Sequence, residues 1–290
     1  MTSLIIGGSS NLAIELRNLL ESSGKKVQML GRNTNHVQLD LESQKLVGIE
    51  LIKGITEVFI CASSFESDTL EGIKKNLVVN TNGTSIILKL LEKTRPKKVT
   101  YAGTVFSDPA FDPSREYGSY AFSKKICEDI LIWWCLKYGV SFRSVRLSQL
   151  VDSHGNCCKH QPWIGRIVGY AARGMELSMP GSIGVRNFLH IEDAALIMSR
   201  AHECEGSVIN GSNPNGISYH EIASEAFDLF SCSSKLKISK HKEKFKGVFP
   251  PKTPTIFELL NIAPSFNVSS WLRQIKELDN GLNFGPIDVL

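Results

Sequence analysis

Up to Leu147 the sequence alternates short β-branched or aliphatic runs with segments of helical periodicity, and this alternation constrains the fold more than any other feature. Leu4 to Ile6 reads as a strand, Leu12 to Leu20 as a helix, Lys26 to Leu30 as a second strand and Val37 to Leu39 as a third, short one. A strand at Val58 to Cys61 follows, then a long helix from about Asn76 to Glu92, a strand at Lys98 to Ala102, a helix at Ser119 to Lys137 and a strand at Ser141 to Leu147. Helices between successive strands permit the right-handed crossovers of a parallel sheet. The expected class is therefore α/β, a doubly wound parallel sheet with helices on both faces.

The remainder is less regular. Pro162 to Arg173 reads as a helix, Met179 to Gly184 as a Pro/Gly/Ser loop, Arg186 to His190 as a strand and Ile191 to His202 as a helix. Val208 to Asn210 is extended, Tyr219 to Phe230 and Ser269 to Leu278 are helical, and a Pro-rich stretch lies at 250–254. Between Lys235 and Lys246 there are six lysines and His241 against one glutamate, which predicts a charge-guarded edge strand or loop.

Composition excludes several classes. Lys plus Arg number 33 and Asp plus Glu 29 in 290 residues, a net charge of +4 that argues against nucleic-acid binding through a broad basic surface. The longest strongly apolar stretch, Ile130 to Leu136, is too short to span a bilayer, and the first residues lack the basic and apolar regions of a signal peptide. A soluble cytoplasmic protein without membrane or nucleic-acid partners is expected. The seven cysteines are an odd number in a long chain, so no disulfide framework is expected. Cys157 and Cys158, flanked by His154 and His160, lack a second Cys/His pair at zinc spacing; ordinary thiols are expected there, and no metal.

The first strand leads into Gly7-Gly8-Ser9-Ser10-Asn11-Leu12-Ala13 and directly into a helix. Small residues at such a turn let the backbone approach a pyrophosphate, whose charge sits at the helix N-terminus. Ser10 and Ala13 stand where a complete pattern has glycine. Ala13 still permits close helix–sheet packing, and the Ser10 hydroxyl can itself donate to a phosphate. The second strand ends in Leu30-Gly31-Arg32-Asn33, without a carboxylate for a free ribose 2′-hydroxyl. Arg32 pairs instead with a 2′-phosphate, which favours NADP(H) and leaves NAD(H) possible. Asp40 and Leu41 are placed to flank the adenine.

Tyr120-Ala121-Phe122-Ser123-Lys124 puts a phenol and an ammonium four residues apart, on one face of a helix. A phenol with a pKa near 10 transfers protons at neutral pH only if its ionised form is stabilised, and a nearby cation does that. The pair suits carbonyl/alcohol redox chemistry. Together with Asn80-Thr81-Asn82-Gly83-Thr84, Tyr101-Ala102-Gly103-Thr104 and Arg186-Asn187-Phe188-Leu189-His190-Ile191-Glu192-Asp193, in that order along the chain, the sequence resembles the extended short-chain dehydrogenase/reductases of the nucleotide-sugar epimerase/dehydratase/reductase branch.

The resemblance implies a Rossmann domain from residues 1–150 with 186–210, and a small interleaved substrate-binding lobe from 151–185 with 211–290. It implies Tyr120 as general acid/base, and Lys124 holding the nicotinamide ribose and lowering the Tyr120 pKa. The third catalytic position is normally Ser or Thr past the fifth strand. Aligning on Lys98 to Tyr101 places Thr104 there; aligning on Val105-Phe106 places Ala102 there, without a hydroxyl. Thr104 is preferred because a strand end fixes position better than a loop. The implied cofactor contacts are Gly7, Ser9, Ser10, Asn11, Leu12, Arg32, Asp40, Leu41, Cys61, Ala62, Ser63 and Asn80, besides Tyr120 and Lys124; Gln149 and Arg186 are the implied diphosphate contacts. His190 is expected to be structural, and Glu192 and Asp193 to complement a helix dipole.

The sequence departs from the family at Gln149-Leu150-Val151-Asp152 and in the 16 positions from Thr104 to Tyr120, a short span. The expected activity is NADPH-dependent reduction of a keto group on a nucleoside-diphosphate sugar, of the 4-keto-6-deoxy type. The alternatives are a 4-epimerase and a catalytically silent NADP-binding sensor. A homodimer through the helix carrying Tyr120, Trp133 and Trp134 is also expected.

Overall fold

The computed structural model describes residues 2–32, 37–110, 118–181, 184–239 and 253–287. The chain runs through β1 (Thr2–Ile6), α1 (Asn11–Ser22), β2 (Lys26–Leu30), β3 (Gln38–Asp40), β4 (Lys45–Val47), β5 (Ile55–Ile60), α2 (Leu70–Asn76), a π turn (Leu77–Asn82), α3 (Thr84–Thr94), β6 (Lys98–Thr104), α4 (Gly118–Tyr138) and β7 (Ser141–Leu147). It continues through β8 (Gln149–Val151), α5 (Pro162–Ala172), β9 (Leu177–Pro180), β10 (Val185–Arg186), β11 (Phe188–His190), α6 (Ile191–Arg200), β12 (Val208–Gly211), β13 (Ile217–Ser218), α7 (Tyr219–Leu229), β14 (Leu236–Ser239), α8 (Ile256–Leu259) and α9 (Val268–Glu277).

Contacts divide the chain into two units, the first comprising Met1–Leu147, Ala194–Gly211 and Thr253–Ile262. Its six-stranded sheet has the order β12-β7-β6-β5-β1-β2, and every pair is parallel. Leu4, Ile5 and Ile6 are all buried, the unbroken apolar run of a strand covered on both faces. The expected third strand forms one residue later as β3, pairs antiparallel with β4, and meets the large sheet at a Gly31–Gln38 bridge. The expected long helix begins earlier, at Leu70, and opens into the π turn, where the Gly83 N–H bonds the Val78 carbonyl at 2.9 Å. Its C-terminal part, α3, buries Ile86, Ile87, Leu90 and Leu91.

A buried ion network ties α4 to the strands. Arg146 on β7 forks onto Glu128 through Nη2–Oε1 (2.7 Å) and Nε–Oε2 (3.1 Å). Ser144 donates to Glu128 Oε2 at 2.6 Å, and Arg146 Nη1 reaches Asp108 at 3.0 Å.

The second unit comprises Ser148–Asp193, Ser212–Lys252 and Ala263–Leu290. Its core gathers Ile164, Ile167 and Val168 of α5, Phe227 of α7, Trp271 of α9 and Phe284. Three two-stranded pairings serve it: β8 with β11, β9 with β14, and β10 with β13. The stretch read as a loop from Met179 forms part of β9, because Leu177 and Met179 both point inward around Ser178. That period-two pattern is too short to stand out beside Pro180-Gly181. Within the lysine-rich segment, Leu236–Ser239 is a strand paired with β9; its continuation to Lys246, the first part of the Pro-rich stretch and Asn33 lie outside the described residues. Asp193 does more than complement a helix dipole. Its buried carboxylate accepts the backbone N–H groups of Ser265 (2.8 Å) and Phe266 (3.2 Å) and anchors that loop.

Candidate active site

In the first unit the chain leaves β1 toward β2 on one side and leaves β5 toward β6 on the other, so β1 and β5 flank the switch point of the sheet. Open α/β sheets bind ligands in the crevice beyond such strand ends. Gly7 follows β1 with φ +102°, and a Cβ there would lie 2.6 Å from the Ala62 backbone nitrogen just past β5. Only glycine fits that approach. The N–H groups of Gly7 and Gly8 bond the Leu30 carbonyl at 2.8 and 3.1 Å, closing the turn against β2.

Ser10 is the N-cap of α1, and its hydroxyl accepts the Ala13 N–H at 3.2 Å. Ser9 precedes it, and Asn11 and Leu12 open the helix, Leu12 with its side chain in the core. No acidic residue occupies the first turn of α1, so the helix itself places no competing carboxylate at its positive end. Small residues, a helix N-terminus and exposed Arg32 at the end of β2 fit a dinucleotide phosphate. Asp40 is engaged locally: burial works against its charge, but the Ser43 hydroxyl, the Glu42 and Ser43 N–H groups and the Arg32 charge hold its carboxyl below the usual range. Leu41 is buried in the core of the unit. Past β5, Cys61 is buried, Ala62 half-buried and Ser63 exposed; burial pushes the Cys61 thiol up to about 12 despite nearby Lys124.

Tyr120 and Lys124 lie one turn apart on α4, and Thr104 ends β6 beside them. The Thr104 hydroxyl is buried, and it and the Ser63 hydroxyl lie close enough to the Tyr120 phenol to favour its ionised form. Ala102 meets Lys124 instead, through its carbonyl, 2.6 Å from Nζ. The ammonium lies 4.2 Å from the centre of the Tyr101 ring, whose hydroxyl bonds the Lys124 carbonyl at 3.3 Å. Burial pushes Tyr120 up to about 12, with Thr104 and Ser63 pulling it down. The influences on the phenol are thus burial and two hydroxyls, while the Lys124 ammonium is committed to Ala102 and Tyr101.

Burial lowers Lys124 to about 8, and Cys127, Cys61 and Glu128 pull it back only in part. An unfolded lysine titrates near 10.4, so between about pH 8 and 10.4 the unfolded chain binds more protons at this site and stability rises with pH. Below about pH 8 the burial cost is fully present. Lys124→Met should therefore stabilise the protein at pH 7 by up to about 3 kcal/mol. Urea unfolding of both proteins at pH 7 and pH 9.5 checks this, and the advantage of the variant should shrink at the higher pH.

The segment after β5 is laced to α4. Asn80 accepts the Ser64 N–H at 2.7 Å, donates to the Ser64 carbonyl at 2.9 Å and donates to the Ser123 hydroxyl at 3.0 Å. One turn earlier Asn76 repeats the pattern, accepting from Glu66 N–H (3.0 Å) and donating to the Glu66 carbonyl (3.1 Å) and to Ser119 (2.9 Å). Asp68 accepts the Ser119 N–H at 3.0 Å and packs on Gly118, whose φ of +54° and contact with that carboxylate leave no room for a side chain. The Phe65 ring meets Tyr120 edge-on, centroids 4.6 Å apart. Asn80 was legible as part of the Asn-Thr-Asn-Gly-Thr motif; Asn76, Asp68 and Phe65 carried no comparable signal.

The second unit brings Gln149 and Arg186 together at a residue the sequence did not single out, Tyr219. The Arg186 guanidinium lies 5.0 Å from the centre of the Tyr219 ring. Burial raises the Tyr219 phenol, and the Arg186 charge and a hydrogen bond with Gln149 draw it back. Ser218 and Glu221 form a capping box that fixes Tyr219 as the first residue of α7, and that Ser-x-x-Glu spacing was the available clue. Asn187 holds the neighbouring loop through the Asn213 N–H (3.0 Å) and carbonyl (2.8 Å). His190 is buried, with Nδ1 3.8 Å from Glu192. All seven cysteines are free, and among the described residues no three His, Cys, Asp or Glu side chains are grouped to hold a metal ion. Among them, too, no helix is long and apolar enough to cross a membrane.

The sheet and its switch-point turn define a dinucleotide-binding α/β protein of Rossmann type. Residues 3–211 match the NAD dependent epimerase/dehydratase family, and the chain belongs to it. No curated protein is a detectable sequence relative. Among solved structures, the UDP-N-acetylglucosamine 4-epimerase from Bacillus cereus is 20% identical, with 99% of each chain covered and a TM-score of 0.73. The UDP-glucose 4-epimerase from Thermotoga maritima, with UDP-glucose, is 15% identical over 97% of this chain and 100% of that one (TM-score 0.75). RMD from Pseudomonas aeruginosa, complexed with NADPH, is 16% identical over 97% and 99% (TM-score 0.74). A nicotinamide-dependent enzyme fold is thereby established.

Proposed function

We propose that the protein reduces a keto group on a nucleoside-diphosphate sugar with NADPH. The observation that carries this reading is Tyr120 one turn before the buried Lys124 on α4, beside the buried hydroxyl of Thr104 at the end of β6. When bound, the reduced nicotinamide supplies a hydride to the carbonyl carbon. Tyr120 gives its proton to the carbonyl oxygen, and Thr104 hydrogen-bonds that oxygen as negative charge develops. Lys124, anchored on Ala102, is assigned to the nicotinamide ribose. Gly7, Ser9, Ser10, Asn11 and Leu12 hold the pyrophosphate, Arg32 the 2′-phosphate, and the 61–63 segment with Asn80 the remainder of the cofactor. In the second unit Arg186 and Gln149, with Tyr219, are assigned to the substrate diphosphate. UDP-glucose on the Thermotoga neighbour and NADPH on the Pseudomonas one are consistent with these assignments.

A 2′-phosphate held by Arg32 would suit net reduction from an exchangeable NADPH pool better than epimerisation, which keeps its cofactor bound. The test is NADPH absorbance with a panel of 4-keto-6-deoxy nucleotide sugars: stoichiometric loss supports reduction. Sugar isomerisation without net cofactor change would make the protein an epimerase, and cofactor binding without turnover of any kind a sensor. Arg32→Glu should reverse the cofactor preference, weakening NADPH binding by about 10- to 100-fold and leaving NADH binding within a few-fold, since a charge-assisted pair with the 2′-phosphate is replaced by repulsion. Equal dissociation constants for NADPH in both proteins would remove Arg32 from the site. A homodimer through α4 also belongs to this reading. Trp134 is buried, but Trp133 is 57% and Leu136 81% exposed, an apolar surface that a second copy would cover.

A further inference from the structure

We propose that Tyr101 is a positioning residue for Lys124, gripping that lysine at both ends so that its buried amine stays charged at neutral pH. The inference rests on the reading of Lys124 as the cation assigned to the nicotinamide ribose, and it gives β6 a part in the site beyond carrying Thr104.

Tyr101 stands in the middle of β6, paired with Ile60 of β5 and Ser144 of β7, and it is fully buried. Strand packing alone asks only for an apolar side chain there, and burying a phenol costs free energy unless its hydroxyl finds a partner. That hydroxyl donates to the Lys124 carbonyl at 3.3 Å, at the root of the lysine on α4. At the other end of the side chain, the ammonium lies over the Tyr101 ring, 4.2 Å from its centre. Ring faces carry negative charge and attract cations within about 6 Å, most strongly where water is excluded. The Ala102 carbonyl, next along the same strand, accepts from the ammonium at 2.6 Å. Two successive residues of β6 thus hold one lysine.

The titratable groups near Lys124 leave this task to β6. Cys61 beyond β5 and Cys127 on α4 are thiols that burial keeps neutral, the first pushed up to about 12. Burial likewise keeps the Tyr120 phenol neutral, at about 12. Glu128, one turn further along α4, is charged, but Arg146 forks onto both of its oxygens. Burial meanwhile draws Lys124 down to about 8, so a modest loss of cation stabilisation would leave a neutral amine at neutral pH. An ammonium donates stronger hydrogen bonds than an amine does, and the charge therefore serves the grip on the ribose hydroxyls. Tyr101 acts through Lys124 and needs no contact with the cofactor itself.

The experiment titrates Lys124 by carbon NMR in the full-length protein, labelled at the lysine ε-carbons; the Lys124 signal is the one lost in Lys124→Met. Two variants at position 101 both keep an aromatic ring in the core, so neither opens a cavity. Tyr101→Phe retains the ring face and should leave the Lys124 midpoint within about 0.3 pH units of the parent protein. Trifluorophenylalanine in place of Tyr101 has a ring of similar size whose face is drained of negative charge. It should lower the midpoint by about half to one pH unit relative to Tyr101→Phe. Equal midpoints in the two variants overturn the proposal whatever the protein catalyses. The NADPH dissociation constant, followed against pH, should begin to rise earlier in the trifluorinated variant by the same interval. A shifted lysine midpoint with unshifted NADPH binding would support the Tyr101 grip and remove Lys124 from the ribose instead.

Discussion

Tyr120→Phe is expected to lower kcat/KM for keto reduction by about a thousandfold, within the range that positioned acid–base groups contribute. That factor corresponds to about 4 kcal/mol of barrier. The substitution removes one oxygen and leaves the ring on Phe65, so packing survives and the hydroxyls of Thr104 and Ser63 remain in place. NADPH affinity should change by no more than about threefold, because the phenol supplies a single hydrogen bond among many. Steady-state kinetics paired with a fluorescence titration of NADPH separate the two quantities. Undiminished turnover in Tyr120→Phe would end the proposed mechanism.

Glu128→Ala is expected to destabilise the fold by about 3–5 kcal/mol, the usual consequence of leaving one partner of a buried ion pair uncompensated. Arg146 would keep its charge among buried neighbours without its closest carboxylate partner, and the Ser144 hydroxyl would lose its acceptor. Domains of ordinary stability have about 5–15 kcal/mol in total, so the variant should show a much lower urea midpoint or expression mainly in inclusion bodies. The double variant Glu128→Leu/Arg146→Met removes both charges and should recover most of the loss. If the single variant unfolds at the midpoint of the parent protein, the network contributes nothing to stability. Activity cannot decide the question, because Glu128 stands one turn beyond Lys124 on the same helix face and a loosened α4 would disturb both residues.

The α/β class was legible because strands and helices of the first 147 residues carry different hydrophobic periods, and β7 formed over the residues the pattern indicated. Boundaries slipped where two patterns meet. Leu70–Asn76 lies before the expected helix start at about Asn76, yet Thr69 caps it and it joins the π turn, which no 3.6-residue period reveals. In the second unit, β8, β10 and β13 have two or three residues each, too few for a period to show. The candidate site divides in the same way. Gly7, Tyr120, Lys124 and Asn80 belong to local motifs with fixed spacing. Tyr219 meets Arg186 because β10 and β13 pair antiparallel, and Phe65, from the segment after β5, meets Tyr120 on α4; neither contact has a sequence spacing to read.

The π turn between α2 and α3 makes this part of the chain sensitive to length in a way that it is not to side-chain size. An α-helix advances about 100° per residue. A further residue inserted into Leu77–Asn82 at ordinary helical spacing would rotate everything on one side of it by that angle relative to the other. Either Asn76 would swing away from Glu66 and Ser119, or Ile86, Ile87, Leu90 and Leu91 would leave the core. The wide turn thus acts as a phase adjuster between two helices with different obligations, one to the Tyr120 helix and one to the sheet. Apart from Asn80, with its bonds to Ser64 and Ser123, its side chains can change without moving the helices, whereas the register cannot.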